Sequence, residues 1–234
     1  MPEAMRLEVR NLTKVYEGGW GAHEVSFSVP AGQIMALGGP NGSGKSTVLK
    51  CVAGLVRHEG AVLVDGDLVD RAPASRAMMG YLPQVVGMPE HATIAEMIQL
   101  FADLRGADPS TIPLPAGFLR DPSTDIGTLS GGQRHRVALA IALLGDPSVL
   151  LLDEPVASLD EAGRATFWDV LRHLRDERGV TAIVSSPAPG ELRGLADRGV
   201  GMEDGRITDD ELFEAGLHVA PSPSVDQKSE EESA

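Results

Sequence analysis

The sequence has one cysteine, a shortage of positive charge and no long apolar run. Because Cys51 is alone among 234 residues, no disulfide can form within the chain, which agrees with a reducing compartment. Cys51 lies in an apolar helical pattern, so we assign it to the core rather than to catalysis. No apolar run reaches the ~18 residues that a membrane helix requires, and no apolar signal segment follows Met1–Arg10. We therefore expect a soluble chain that reaches a membrane only through a partner, without inserting into it.

Lysine and arginine together number 20 against 34 aspartates and glutamates, which gives a formal net charge of -14. A surface that neutralises nucleic-acid phosphates needs the opposite balance, so nucleic acid is not an expected partner. Part of the negative charge lies in residues 219–234, where proline, serine and acidic residues leave little to bury, and we expect a disordered acidic tail there. The histidines show no metal-ligand spacing and are assigned no metal role; they are His23, His58, His91, His135, His173 and His218.

Short apolar segments alternate with helical patterns along the chain, which predicts an α/β fold. Val149–Leu152 has no polar alternation, as expected for a parallel strand covered on both faces, and we place it at the centre of the sheet. Asp65-Gly66 and Asp204-Gly205 are typical hairpin turns, so an antiparallel β portion should accompany a mixed, mainly parallel sheet. The predicted strands are Leu7–Val9, Val25–Val29, Ile34–Leu37, Ala61–Val64, Tyr81–Leu82, Val149–Leu152, Ala182–Val184 and Gly199–Met202.

Between about residues 86 and 144 the pattern is helical, without a convincing strand. Thr93 and Glu96 have the spacing of a capping box at the start of one helix, and a second helix follows Ser130. We interpret this segment as a helical subdomain inserted into one α/β domain that spans residues 1–218.

The segment Gly39–Ser46 matches G-x-x-x-x-G-K-S between a predicted strand and a predicted helix, the context that a phosphate-binding loop requires. Its glycines let backbone N–H groups close around phosphate oxygens, and the helix that follows adds its positive N-terminal end. Lys45 would reach the β and γ phosphates, and the Ser46 hydroxyl would bind Mg²⁺. The sequence therefore predicts a nucleoside triphosphate site on a P-loop NTPase core. Its residues are Gly39, Pro40, Asn41, Gly42, Ser43, Gly44, Lys45, Ser46 and Thr47.

Two carboxylates follow the apolar strand Val149–Leu152, at the edge where an α/β sheet binds its ligands. Asp153 is expected to hold the magnesium ion. Glu154 is not needed to hold the metal ion, and it is placed to activate the attacking water as a general base.

With the motif LSGGQ at Leu129–Gln133, the chain resembles the ATP-binding cassette (ABC) proteins. The resemblance extends over about residues 7–209, and further family motifs follow in order. By resemblance, Tyr16 is the aromatic residue that stacks on adenine, and Gln84 in YLPQ is the flexible-loop glutamine that contacts the metal and the reacting water. Ser158–Asp160 matches the loop that contacts the second subunit.

The family implies a head-to-tail dimer with two ATP molecules, each held by the phosphate loop of one subunit and by the LSGGQ motif of the other. In physical terms, a serine at a helix N-terminus followed by glycines offers a hydroxyl, free N–H groups and a helix dipole to a γ-phosphate. The residues assigned to this contact are Ser130, Gly131, Gly132 and Gln133.

Aligned with the family pattern, TAIVSSPAPG places Pro187 where the family has a histidine that contacts the γ-phosphate. Ala196–Arg198 and Asp204–Ile207 fix this register. Because proline offers neither a side-chain donor nor a backbone N–H, we expect normal ATP binding and slow hydrolysis at the site built on this chain.

These features favour an ATP-hydrolysing subunit of a membrane transporter, cytoplasmic and held at the inner face of the cell membrane by a separate permease. The second cassette in the dimer could be a copy of this chain or a different one. The segment Tyr81–Gly106 is similar to exporter-type cassettes that serve drug, antibiotic or lipid permeases. The sequence is also compatible with two alternatives: a weakly catalytic, nucleotide-gated partner subunit, favoured by Pro187, and a soluble non-transport ABC protein.

Overall fold

The computed structural model describes residues 5–212, which form two β-sheets with helices packed against them. The predicted tail at 219–234 and the end of the domain proposed for 1–218 lie outside the described residues. The strands are β1 Met5–Val15, β2 Gly21–Pro30, β3 Ile34–Gly38, β4 Glu59–Val64, β5 Asp67–Leu68, β6 Met79–Leu82, β7 Val149–Asp153, β8 Thr181–Ser186, β9 Arg198–Glu203 and β10 Arg206–Leu212. The α-helices are α1 Lys45–Val52, α2 Pro73–Ala77, α3 Ile94–Arg105, α4 Gly131–Ala142 and α5 Glu161–Arg178, with 3₁₀ turns at Pro109–Thr111, Ile126–Thr128 and Pro189–Leu192.

The larger sheet has six strands in the order β10-β9-β3-β8-β7-β6. Its neighbours pair in parallel except for β9 and β10, so the prediction of a mixed, mainly parallel sheet is confirmed. All five residues of β7 are buried, as predicted for a strand covered on both faces. The expected central position of β7 was wrong, because β3 and β8 occupy the middle and β7 lies next to the edge strand β6.

The smaller sheet is antiparallel, in the order β2-β1-β4-β5, and supplies the predicted antiparallel portion. Asp65 and Gly66 turn β4 into β5 with φ values of 51° and 84°, and Asp204 and Gly205 turn β9 into β10 with 46° and 77°. Positive φ at both central residues is the type I′ geometry that matches strand twist in a two-residue hairpin. Both turns predicted from these dipeptides are confirmed, although β5 and β10 themselves were not predicted.

Two hydrophobic layers lie on opposite faces of the larger sheet, because successive side chains of a strand point to opposite sides. In β3, Met35 packs toward α1 and the smaller sheet, whereas Ala36 packs toward α4 and α5. Cys51 of α1 is fully buried in the first layer, and this burial raises the pKa of its thiol to about 11. Its assignment to the core is therefore confirmed.

Between β6 and β7 the described elements are α3, α4 and two 3₁₀ turns, with a single isolated bridge between Thr93 and Asp125. Thr93 and Glu96 form the predicted capping box of α3. Arg105, in the last turn of α3, donates hydrogen bonds to the carbonyls of Leu144 and Met79 at 2.9 and 3.3 Å. These bonds attach α3 to the end of α4 and to the edge strand β6. No helix within residues 5–212 is long and apolar enough to cross a membrane.

Candidate active site

The candidate site lies at the edge of the larger sheet where four parallel strands end. Gly38 at the end of β3 is aligned with Ser186 of β8, and Ser185 is aligned with Asp153 of β7. In the same way Leu82, the last residue of β6, is aligned with Leu152. The loops that leave these strands therefore begin side by side, which brings together four segments that are distant in the sequence.

An open cleft of about 370 Å³ at this edge is lined mainly by the predicted phosphate loop. Two of its glycines make backbone approaches that no side chain could share. A Cβ on Gly39 would lie 2.1 Å from the carbonyl oxygen of Met202, and one on Gly44 would lie 2.3 Å from that of Gly21. Both glycines have positive φ, 140° and 101°. The lining residues are Trp20, Asn41, Gly42, Gly44, Lys45, Ser46, Thr47, Gln84 and Glu154.

Lys45 begins α1 with its ammonium group folded into the loop, donating to the carbonyls of Gly39 at 2.6 Å and Pro40 at 3.0 Å. Burial lowers the pKa of Lys45, while the nearby charges of Glu154 and Asp153 act to raise it. A buried ammonium at a helix N-terminus, beside glycine N–H groups, matches what a triphosphate requires. The cradle therefore fits a nucleoside triphosphate.

Asp153 is buried and accepts hydrogen bonds from two hydroxyls, that of Ser46 at 3.0 Å and that of Ser185 at 2.8 Å. Carboxylate and hydroxyl oxygens are ligands that Mg²⁺ prefers, and the Ser46–Asp153 contact places one of each side by side. The donor set therefore fits a magnesium ion. Burial, and after it the charge of Asp153, raises the pKa of the Tyr81 hydroxyl.

Glu154 projects into the cleft from a strained backbone, with φ of 47°. A non-glycine residue in this left-handed region is uncommon and is found preferentially at functional sites. The side-chain amide of Gln84 donates to the Glu154 carboxylate at 2.9 Å, and the hydroxyl of Ser185 accepts from the Glu154 backbone N–H at 2.9 Å. The structure thus brings together Gln84, Glu154 and Asp153, and it adds Ser185, which the sequence did not single out.

The LSGGQ residues form the start of α4, where Ser130 and Gln133 make a reciprocal capping box. Gly131 and Gly132 pack against the loop at Ser158–Asp160: a Cβ on Gly132 would lie 2.6 Å from a methyl group of Leu159. The LSGGQ motif and this loop therefore contact each other, as two parts of one surface. Neither segment is among the residues that line the cleft.

Tyr16 lies at the end of β1, and its ring stacks on that of Trp20, with centroids 4.1 Å apart and planes inclined by 17°. Trp20, not Tyr16, is among the residues that line the cleft. Sequence reasoning missed Trp20 because a tryptophan in a glycine-rich turn carries no motif.

Pro187 directly follows β8 and is exposed at the same edge as the cleft. The next backbone N–H, that of Ala188, donates to the hydroxyl of Ser186 at 3.1 Å. The position expected to carry a donor therefore has no donor of its own.

The comparisons with known proteins agree with this geometry. Residues 22–157 match the family model described as ABC transporter. The sulfate/thiosulfate import ATP-binding protein of Mycobacterium tuberculosis is 36% identical over 207 residues, which cover 85% of this chain and 59% of that protein. The Nod factor export ATP-binding protein I of Burkholderia orbicola is 35% identical over 209 residues, 86% of this chain and 68% of that protein. The chain thus spans about three fifths to two thirds of the length of such curated relatives.

The similar solved structures are also ATP-binding cassettes. The ATP-binding subunit of an ABC transporter superposes with a TM-score of 0.78 at 25% identity, covering 88% of this chain and 90% of that one. A dimeric ATP-binding cassette in a post-hydrolysis state with ADP and Pi superposes with a TM-score of 0.77 at 26% identity, covering 89% and 99%.

Proposed function

Because the chain belongs to the ABC transporter family, we propose that it is the ATP-binding and ATP-hydrolysing subunit of a membrane transporter. The observation that carries the proposal is the cleft itself, where Lys45 and Glu154 line a glycine cradle and Ser46 contacts the buried Asp153. Each of these residues supplies a separate part of phosphoryl-transfer chemistry.

In the proposed reaction Lys45 and the N–H groups of the phosphate loop bind the β and γ phosphates and neutralise charge that develops on them. Ser46 and Asp153, with Gln84, hold the magnesium ion, which when bound offsets the charge of the phosphate oxygens. Glu154 accepts a hydrogen bond from the attacking water and orients it. The hydrogen bond from Gln84 keeps the Glu154 carboxylate in the cleft before the nucleotide enters.

We propose that two cassettes close head to tail, with the LSGGQ motif of one completing the cleft of the other. Three observations support this arrangement. The motif lies outside the lining of its own cleft, and it forms the N-terminus of α4, where the helix dipole favours a phosphate. A structural relative is described as dimeric with ADP and Pi. The partner cassette could be a second copy or a different chain.

The proposal requires a separate permease, with the cassette held at the cytoplasmic face of the cell membrane. The helical segment between β6 and β7, proposed as a subdomain at about 86–144, begins just after Gln84 and is placed to pass the nucleotide state to that partner. Relatives of nearly equal identity are named for import and for export, so the similarity to exporter-type cassettes does not decide direction.

One specific observation, Pro187, favours a second candidate: a subunit that binds ATP as a dimer-stabilising ligand and hydrolyses it slowly. The missing donor at position 187 would cost about 10² to 10³ in turnover. Glu154 argues against a complete loss of hydrolysis, since the general base is retained.

The experiment that tests ATP hydrolysis uses purified protein and the substitution Glu154→Gln, with Glu177→Gln on the exposed side of α5 as the matched control. We expect Mg-ATP to bind all three proteins in calorimetry. Phosphate release should fall at least 10²-fold in Glu154→Gln alone, because an amide cannot act as a base. Absence of Mg-ATP binding, or equal turnover in the two variants, would contradict the proposal. Co-purification with an integral membrane protein tests the role in transport.

A further inference from the structure

We propose that Ser185 is a positioning residue for ATP hydrolysis, whose single hydroxyl orients the metal-binding carboxylate of Asp153 and the general base Glu154 together. The inference rests on the proposed function, since it assigns a role to a further residue of the same site. Ser185 acts through these two neighbours and not by contact with the nucleotide.

The first observation is the place of Ser185 in the larger sheet. It lies near the end of β8, it is aligned with Asp153 at the end of the parallel strand β7, and both residues are 1% exposed. Ile183 and Leu151, two residues earlier in each strand, pack in the hydrophobic layer on the α1 side. Because side chains alternate along a strand, Ser185 and Asp153 face the same side, from which α1 and the phosphate loop approach.

The second observation is that the Ser185 hydroxyl is used in both directions. It donates to Oδ1 of Asp153 at 2.8 Å and accepts from the backbone N–H of Glu154 at 2.9 Å. A serine hydroxyl has one proton, and here that proton is given to Asp153. Ser185 therefore has no second proton to donate to a phosphate or a water, which favours a positioning role over a catalytic one.

The bond to Asp153 fixes the carboxylate that is proposed to hold magnesium. The hydroxyl of Ser46 donates to the same oxygen, Oδ1, at 3.0 Å, and Oδ2 receives neither of these two bonds. Ser46 is itself a proposed magnesium ligand, so of the two donors Ser185 is the one that is not needed by the metal. Hydrogen bonds from such outer groups orient a ligating carboxylate and tune its affinity for the metal.

The bond to Glu154 stabilises an unfavourable backbone conformation. Glu154 has a φ of 47°, in the left-handed region that is costly for a non-glycine residue. This conformation places the side chain in the lining of the cleft, where Gln84 donates to its carboxylate at 2.9 Å. Gln84 thus holds the side chain and Ser185 holds the backbone. Without the Ser185 hydroxyl, the Glu154 N–H would lose the acceptor that favours this conformation.

The test compares Ser185→Ala, which removes the hydroxyl, with Ser185→Thr, which keeps one. Ser186→Ala is the matched control, because Ser186 is the adjacent residue and its hydroxyl accepts from the N–H of Ala188 instead. Amide hydrogen exchange, followed by NMR in the nucleotide-free protein, reports on the Glu154 N–H. Calorimetry gives the dissociation constants of Mg-ATP and of ATP in EDTA, and single-turnover phosphate release gives the rate of hydrolysis.

In Ser185→Ala we expect the Glu154 N–H to exchange about tenfold faster, because its hydrogen bond is lost. Mg-ATP binding should weaken about tenfold and the single-turnover rate should fall about 10- to 100-fold, the usual effect of losing an outer-shell partner. The affinity for ATP in EDTA should match that of the parent, since the phosphate loop is unchanged. Ser185→Thr should recover most of each loss, and Ser186→Ala should resemble the parent.

Parent-like values in Ser185→Ala, or equal losses in Ser185→Ala and Ser185→Thr, would overturn the proposal. Loss of ATP binding in EDTA would also overturn it, because Ser185 would then support the whole site rather than two carboxylates. A parent protein that binds no ATP would contradict the proposed function instead. The exchange of the Glu154 N–H needs neither nucleotide nor turnover, so the two failures are distinguishable.

Discussion

At the scale of single residues, the hydroxyl of Ser185 connects the two carboxylates of the site. It donates to Asp153 and accepts from the backbone N–H of Glu154, and both partners lie at the end of the neighbouring strand β7. The second bond helps to hold Glu154 in its left-handed conformation. A serine at the end of an apolar segment does not reveal such partners, because they depend on the pairing register of β7 and β8.

Pro187 is a single residue whose replacement should change the rate of ATP hydrolysis. Pro187→His restores a side-chain donor at the sheet edge where the cleft lies, and we expect turnover to rise about 10²-fold with little change in KM. The measurement is steady-state phosphate release by purified protein. Ala188→His is the matched control, since it places a histidine one residue further along the same exposed loop and should leave the rate near that of the parent. A Pro187→His protein that is no faster than the parent would remove the explanation of slow turnover.

At the scale of elements, helices α3 and α4 begin with the same capping arrangement, but only the start of α4 is proposed to bind a nucleotide. Thr93 caps α3 and Ser130 caps α4. In each helix the third residue, Glu96 in α3 and Gln133 in α4, completes a reciprocal capping box. Hydrogen bonds from Thr93 lower the pKa of Glu96, so the charged form that completes this box is retained at neutral pH.

This pair of helices allows capping to be separated from function. Thr93→Ala and Ser130→Ala should each lower the free energy of unfolding by about 1 kcal/mol, because each removes one capping hydroxyl. Only Ser130→Ala should also reduce ATP turnover, since its hydroxyl is proposed to bind the partner's nucleotide. The checks are denaturant unfolding and phosphate release. Equal loss of turnover in both variants would show that Ser130 acts through helix stability alone.

A strand can be predicted from the sequence when its own residues carry an apolar run or alternation. The eight predicted strands are all present, because each contains a buried apolar run or alternation. β10 was missed because RITDDEL is acidic and almost fully exposed, and it pairs only through the turn at Asp204-Gly205. β1 is longer than predicted: it extends past Asn11, where φ is 50° and the register with both neighbouring strands shifts. Polar edge segments and irregular extensions depend on partners rather than on their own sequence.

At the scale of the whole molecule, the phosphate loop and the carboxylates were predictable because they are contiguous and follow strands. The spatial arrangement of distant segments was not predictable, because it depends on which strands are neighbours in the sheet. Placing β7 at the centre of the sheet was wrong for this reason. Trp20 was missed because the turn that carries it meets the phosphate loop through Gly21 and Gly44, a contact between distant segments. Buried runs thus predict that a strand is interior, whereas strand order is a tertiary property.

Dimer formation involves the whole molecule, because a single chain leaves its LSGGQ motif outside its own cleft. In the Glu154→Gln background ATP should remain bound, and scattering mass should double with Mg-ATP while staying monomeric with Mg-ADP. Each chain carries a formal net charge of -14, so long-range repulsion opposes association at low ionic strength. The measurement is therefore made near 0.15 M salt, where screening acts within about 8 Å.

Two further substitutions in the Glu154→Gln background identify the contact. Ser130→Ala should weaken the ATP-dependent dimer, because a hydroxyl that binds the partner's γ-phosphate is lost, whereas Thr93→Ala should leave it intact. A heterodimeric assembly predicts a different outcome for the chain alone: no doubling with Mg-ATP until a second cassette subunit is added. The two-subunit site would be contradicted by a chain that stays monomeric with Mg-ATP, both alone and with a second cassette subunit, and whose Ser130→Ala and Thr93→Ala variants behave alike. Nothing would then complete the open side of the cleft.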